Sequence, residues 1–361
     1  MSIHGQIVEA IRKGVLDGRY RSRLPSEAQI ALRFKCSRKT AVRAMEQLAW
    51  EGIAVRRKGK GTFVSREFCR RQCGIGLIVM SYSEMFPIVC QEILSLCHAN
   101  GYVLMLGHIA NGDAKSRAKQ AKELADKFAD QGVEGVIFQP VGFLPDADAI
   151  SASIVETFTR KGIPVVLVDG DIVPVPERSV CDTVEIDNFE AGYRLARHVL
   201  ELRPKGRIVY CTRPFGPHSN ELRWLGVRSA VADLGGAVDR LLCEPDDVEA
   251  IGRKLRMHKT AAVICGYDVL AVKVARVLKG LGKRVPGDIM LAGFDDVGLA
   301  SAMTPRLTTI HQPCEQLAEA AYEALMRRIA EPKSPPQRIL LHAPLVERES
   351  TSGGNERRRK K

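Results

Sequence analysis

The 361 residues are 45% hydrophobic and 27% charged, a globular mixture that excludes a disordered chain, and the length predicts two or three domains. No apolar run approaches the ~20 residues of a membrane helix, and residues 1–12 lack the apolar core of a signal peptide. The protein is therefore expected in the cytoplasm, with no membrane partner.

The formal charge of +12 is unevenly placed. Residues 1–72 hold 17 Lys and Arg against 6 Asp and Glu, residues 352–361 hold 5 against 1, and the rest holds 32 against 35. A basic head on a slightly acidic body is expected where only the head meets a polyanion.

In chain order, Ile3, Ile7, Ala10 and Ile11 share one helical face. Ser26 can cap a short helix over 27–34, with Gln29 completing a capping box. Ser37 opens a third helix that Gly52 ends. On it, Val42, Met45 and Leu48 have core-facing spacing, while Lys39 and Arg43 share another face, with Thr40 beside them and Arg38 at the start. Residues 53–57, 58–61 and 62–64 read as strand, tight turn and strand. Three helices and a hairpin make a winged helix-turn-helix.

A recognition helix enters the major groove by its N-terminal end, so Arg38, Lys39, Thr40 and Arg43 can reach bases or phosphates, and Ser37 can bond a phosphate as well as cap. Gly59 and Gly61 let the wing backbone approach a phosphate, and Lys60 at the tip can enter a minor groove. One cationic helix face alone is more often simply solvated. Two basic surfaces on one small fold favour double-stranded DNA.

After a basic linker at 67–73 the pattern changes. Strand-like runs at 74–80, 102–109, 136–140, 165–169, 207–212, 238–243, 261–265 and 289–294 alternate with helical segments at 84–99, 116–131, 191–202, 221–234, 248–256 and 269–281. The runs are almost continuously apolar, which predicts parallel strands covered on both faces in a doubly wound α/β architecture. About 280 residues fit two lobes, with ligands outside the carboxyl ends of the strands. The ten cysteines are scattered and read as buried free thiols. The closest pair, Cys69 and Cys73, has no zinc-site partner. The end of the chain, 351–361, reads as a disordered basic tail.

No Gly-x-Ser-x-Gly, His-Glu-x-x-His, phosphate loop or complete dinucleotide fingerprint occurs. No catalytic residue, cofactor or metal is expected, and His108 and His311 read as structural histidines.

Four motifs stand in order in the head: Leu24-Pro25-Ser26-Glu27, Ser37-Arg38-Lys39-Thr40-Ala41-Val42-Arg43, Leu48-Ala49-Trp50-Glu51-Gly52 and Gly59-Lys60-Gly61-Thr62-Phe63-Val64. With them, residues 1–64 resemble the GntR-type winged helix. The resemblance implies operator contacts from Arg38, Thr40, Arg43 and the wing glycines. The family commonly has arginine where Ala28 stands.

In the body, Val133-Glu134-Gly135-Val136-Ile137, Asp187-Asn188-Phe189-Glu190-Ala191-Gly192, Arg223-Trp224-Leu225-Gly226, Gly293-Phe294-Asp295-Asp296 and Pro305-Arg306-Leu307-Thr308-Thr309-Ile310 resemble the LacI/GalR-type sensor, whose fold is that of periplasmic sugar-binding proteins. The pairing of head and body is similar to the arabinose-repressor type of arrangement. It implies a cleft between the lobes, with Arg223 and Asp295 at positions that commonly hydrogen-bond sugar hydroxyls and Gln312 as a further matched position. Tyr267 stands where the family usually has the asparagine of an Asn-Asp pair, and Asp268 reads as a helix cap. Phe86, after the first strand, reads equally as a stacking face for a sugar or as core, and Asp171 follows the fourth strand as a weaker candidate.

The expected organisation is a winged helix at 1–66, the linker, a two-lobed periplasmic-binding-protein-like sensor at 74–350, and the tail. The expected function is a ligand-responsive DNA-binding transcription regulator, a repressor controlled by a sugar or sugar-like molecule and acting as a homodimer. The competing readings are a cytoplasmic solute-binding protein and a sugar-modifying enzyme on the same body.

Overall fold

The computed structural model describes residues 2–16, 19–20, 22–65, 74–80, 85–109, 113–203, 206–257 and 260–352. The expected linker at 67–73, with Cys69 and Cys73, and most of the expected tail lie outside these residues. The chain divides into two compact units, one of residues 1–75, 95–105 and 132–134, the other of 76–94, 106–131 and 135–361.

The head contains α1 (Ile3–Leu16), α2 (Glu27–Arg33) and α3 (Arg38–Trp50), followed by β1 (Ala54–Arg57) and β2 (Gly61–Val64). The hairpin is antiparallel, with Arg57 opposite Gly61. A short third segment joins it: Leu24 N–H donates to the Thr62 carbonyl at 3.0 Å and Val64 N–H to that of Ser22 at 2.9 Å. The core gathers Ile7, Ile11, Ile30, Met45, Leu48 and Ile53, each contributing on the order of 1.5–3 kcal/mol by burial. The expected core position Val42 is only half-buried. Ala41 and Ala44 take the inner face with Met45 and Leu48, because short side chains suit the close contact of α3 with α1.

The body begins with β3 (Gly74–Met80), α4 (Phe86–Ala99), β4 (Val103–Ile109), α5 (Ala114–Gln131), β5 (Gly135–Phe138), α6 (Ala147–Thr159), β6 (Val165–Val168) and β7 (Asp182–Ile186). It continues with α7 (Asn188–Leu202), β8 (Arg207–Thr212), α8 (His218–Leu234), β9 (Ala237–Leu242), α9 (Val248–Met257), β10 (Thr260–Cys265), α10 (Asp268–Gly280), β11 (Met290–Asp295), α11 (Gly298–Ala302) and β12 (Thr308–His311). Then α12 (Cys314–Ala330) packs back on β5, β6 and β7, and β13 (Arg338–Leu341), β14 (Leu345–Val346) and α13 (Glu349–Ser352) close the described chain.

Two six-stranded sheets result, ordered β13-β7-β6-β5-β3-β4 and β14-β12-β11-β10-β8-β9. Apart from the last strand of each, both follow one doubly wound order, in which a binding crevice opens where the strand order reverses. The edge strand β13 lies parallel to β7, whereas β14 runs antiparallel to β12. The chain thus passes between the sheets three times: after β7, before α12 and after β13.

The tail differs from expectation at its start. Thr351 is 4% exposed, and its hydroxyl is 2.7 Å from that of Thr308 and 3.0 Å from His198 Nε2. These bonds hold it in α13 against the second sheet.

Candidate DNA interface and effector cleft

Two caps position the head's polar surface. Ser26 and Gln29 form a complete capping box at the start of α2. Ser37 Oγ accepts from Thr40 N–H at 3.1 Å and lies 2.9 Å from the Thr40 hydroxyl. This fixes the first turn of α3, from which Arg38, Lys39 and Arg43 project, all exposed.

The wing turns on Gly59 (φ 73°) and Gly61 (φ 107°), with Lys58 and Lys60 exposed between and beside them. Arg56 pairs with Glu27 at 2.8 Å and with Glu46 at 3.7 Å, so its charge fastens the wing to α2 and α3. Arg57 lies over the Phe63 ring, 5.1 Å from its centroid. Arg23, on the added segment, packs its guanidinium against Gly61, where a Cβ would stand 3.2 Å from Nη2. Nothing local in the sequence marks residues 22–24 as a strand, so Arg23 carries no signal of this position there.

In the body, Met85, Phe143 and Asp169 of the first lobe face Arg213, Ser219, Asn220, Arg223, Tyr267, Asp295 and Gln312 of the second across a cleft of about 560 Å³, its open mouth included. Arg223, 3% exposed, donates from Nε to Asn188 Oδ1 at 2.8 Å and from Nη1 to the Gly266 carbonyl at 2.7 Å, and reaches Asp295 Oδ1 at 3.6 Å. Its guanidinium lies over the Phe294 ring at 4.6 Å. Close crossing of α7 and α8 sets this position. A Cβ on Gly226 would stand 2.0 Å from the Phe189 carbonyl oxygen, and one on Gly192 would stand 2.2 Å from that of Arg223.

Gln312 Nε2 donates to Asp295 Oδ1 at 2.8 Å. Gln312 Oε1 and Asp169 Oδ1 are buried with no hydrogen-bond partner among the described residues. Burial, then repulsion from Asp295 and Glu185, raises the Asp169 carboxyl to about 7 against the pull of Arg223. Burial also pushes the Tyr267 phenol up. Phe143 closes one side: its N–H donates to the Phe215 carbonyl at 2.5 Å, Arg213 lies over its ring at 4.5 Å, and the Tyr267 ring is 6.0 Å away. Arg213 in turn pairs with Glu244 at 2.9 Å.

Backbone strain gathers at this place. Phe143 (φ 59°), Asp169 (φ 70°), Phe215 (φ 54°), Asp295 (φ 109°) and Asp296 (φ 58°) all take left-handed conformations that L-residues rarely adopt. Such residues persist where the surroundings over-determine them, commonly at ligand clamps.

Arg223, Tyr267, Asp295 and Gln312 therefore meet in one cleft as expected, and two other candidates do not. Phe86 is 2% exposed and packed in the core; Met85, just before the helix, faces the cleft instead. Asp171 turns away from the cleft to tie its own loop, accepting from Ile172 N–H at 2.7 Å and Ser179 N–H at 3.3 Å. The strand-end rule applied one residue beyond β6 selects Asp169 in its place. Asp268 is not the cap of α10. Tyr267 holds that position, and Asp268 is buried, accepting from the Thr309 hydroxyl at 2.8 Å and Val297 N–H at 3.2 Å. His311 lies outside the cleft lining and meets Asp296 at 3.0 Å.

Residues 3–64 match the model of bacterial regulatory proteins of the gntR family, and residues 196–351 match that of a periplasmic binding protein-like domain. Over 288 residues the chain is 30% identical to the HTH-type transcriptional repressor PurR of Klebsiella pneumoniae, covering 78% of this chain and 80% of that protein. PurR of Pectobacterium atrosepticum is 28% identical over 327 residues, covering 88% and 89%. The chain belongs to the LacI-type family of transcriptional repressors.

This repressor carries a GntR-type head on a LacI-type sensor, and it is a ligand-responsive DNA-binding protein. Its fold is that of a LacI family regulator from Enterococcus faecium with bound ribose (23% identity, TM-score 0.63, 77% of this chain and 98% of that one). The same holds for a CelR–cellobiose complex (24% identity, TM-score 0.66, 87% and 90%). Among its described residues no helix is long and apolar enough to cross a membrane, and no group of three His, Cys, Asp or Glu side chains is placed to hold a metal ion.

Proposed function

We propose that this repressor grips operator DNA with the start of α3 and the wing, and that a sugar or sugar-like effector in the cleft sets the strength of that grip. On the DNA side, Arg38, Lys39, Thr40 and Arg43 face the major groove. Ser26 and Ser37 bond phosphates at the helix starts, and Gly59, Lys60, Gly61 and Arg23 form the wing contact. Residues 1–66 serve as the head, 67–73 as the connection and 74–350 as the sensor.

The buried acceptors carry the effector assignment. Asp169 Oδ1 and Gln312 Oε1 lack donors among the described residues, and each such group costs about 1–3 kcal/mol when left unmet. A ligand rich in hydroxyl donors supplies what they lack, while Arg223 and Asp295 hold neighbouring hydroxyls by charge-assisted bonds. Phe143 and Tyr267 present aromatic faces to the ring. The ribose and cellobiose in structures of the same fold support this reading. Only an effector with different affinities for two arrangements of the chain can move DNA binding.

Exposed Ile88 and Leu94 on α4 and Leu106 on edge strand β4 support a homodimer, and with it an operator of two half-sites. The protein acts in the cytoplasm and catalyses no reaction.

A thermal-shift titration of the full chain against mono- and disaccharides tests the effector. A sugar that raises the unfolding midpoint should do so less in Gln312→Ala. A midpoint indifferent to the whole panel overturns the sugar assignment. A salt titration of promoter binding tests the head, and a shallow salt dependence counts against the phosphate contacts.

A further inference from the structure

Eight cysteines lie among the described residues, all as thiols. Cys211 and Cys243 make a sulfur–sulfur contact, with Sγ atoms 3.6 Å apart. Cys265 lies level with Cys211 on the neighbouring strand. All three point into one apolar layer with Ile251, Leu255, Leu270 and Val274. Small apolar side chains would fill that layer equally well, so packing alone does not account for two thiols in contact at adjoining strand ends.

We propose that Cys211 and Cys243 form an oxidisable dithiol, a modification site for hydroperoxides set directly beneath the cleft wall. Cys243 is the attacking group. It lies just past β9 and is 5% exposed, whereas Cys211 is fully buried. The hydrogen bond the two sulfurs share holds the Cys243 thiol below its ordinary value, while that bond and burial push the Cys211 thiol up.

The Cys243 thiolate attacks the terminal oxygen of ROOH. The O–O bond breaks, the thiol proton leaves with RO⁻ as ROH, and Cys243 becomes a sulfenic acid. The Cys211 sulfur then attacks the Cys243 sulfur. The S–S bond forms, the S–O bond breaks, and water leaves with the Cys211 proton. The two thiols give up two electrons and two protons, and the peroxide is reduced to alcohol and water. Reaching an S–S length of about 2.05 Å needs side-chain rotation and a small approach of the strand ends.

That approach acts where the cleft wall begins. Cys243 N–H donates to the Thr212 carbonyl at 3.0 Å, and Gly266 N–H to that of Cys211 at 2.8 Å. The next residues along are Arg213, paired with Glu244 at 2.9 Å, and Tyr267, both of which line the cleft.

The test is peptide mapping of the full chain after hydrogen peroxide treatment, without reductant, together with a thiol titration. The expected product is a Cys211–Cys243 linkage that dithiothreitol reverses, with the thiol count lower by two, and it should be absent from both Cys243→Ser and Cys243→Ala. The linked wild-type chain should also shift its unfolding midpoint, a shift neither variant shows. Thiols that persist at both positions, a link to Cys265 instead, or irreversible oxidation of Cys243 alone each overturn the proposal.

Discussion

The head and the cleft solve opposite problems. The head offers charge to a ligand outside itself, so its working side chains stand exposed on a small core and its caps are made by neighbours three residues apart. The cleft must keep charge away from water, so Arg223 is buried and held by partners 35 and 43 residues away in sequence. The first kind of site tolerates loss of any one side chain; the second does not.

Arg223→Ala should therefore have the largest effect. Removing one partner from a buried charged group costs about 3–5 kcal/mol, read as a lower denaturant midpoint together with loss of any effector response. Asp169 sharpens the same contrast through pH. Its folded-state value of about 7 lies above the ordinary 3.8, so the native chain holds the proton more tightly than the unfolded chain. The stability it contributes is complete below 3.8 and is lost as pH rises through about 7. Unfolding of the ligand-free chain across that range should show this decline, by up to a few kcal/mol, and Asp169→Asn should flatten it.

Gly226→Ala forces α7 and α8 apart and should cost at least the ~1–3 kcal/mol of an overpacked core, measured by thermal unfolding. In the head, Arg43→Ala should weaken operator binding by about 1–3 kcal/mol while leaving stability and effector binding unchanged. An equal loss of effector binding would erase the contrast. Ser37→Ala should cost about 1 kcal/mol through the lost cap, the smallest of these changes, seen in stability and DNA affinity together.

The same difference explains what could be read from the sequence. Helix starts and the wing were legible because Ser26, Ser37, Gly59 and Gly61 act within a few residues of themselves. The alternating strands of both lobes were legible wherever apolar runs were unbroken. β7 was not, because Asp182 and Glu185 interrupt it. Each is buried, and each is met by arginines far along the chain: Arg327 at 2.7 Å and Arg328 at 2.8 Å on Asp182, and Arg338 at 2.7 Å on Glu185. A resemblance placed Arg223, Tyr267, Asp295 and Gln312. Phe143 and Asp169 stayed hidden, because left-handed backbone at a non-glycine residue leaves no mark in composition. Phe86 and Met85 differ by one residue, finer than the position of a helix start can be read.

The three passages of chain between the sheets bear on how the protein is made. The first sheet lacks its edge strand until Arg338–Leu341 has been synthesised, by which point every strand of the second sheet except Leu345–Val346 already exists. The lobes therefore cannot mature one after the other on the ribosome. A stop codon placed shortly before Arg338 would strip an edge from both at once, while the winged helix, complete within the first 65 residues, would emerge with its elements whole. Truncated products of this gene would then carry DNA-contacting surfaces with no intact means of hearing the effector.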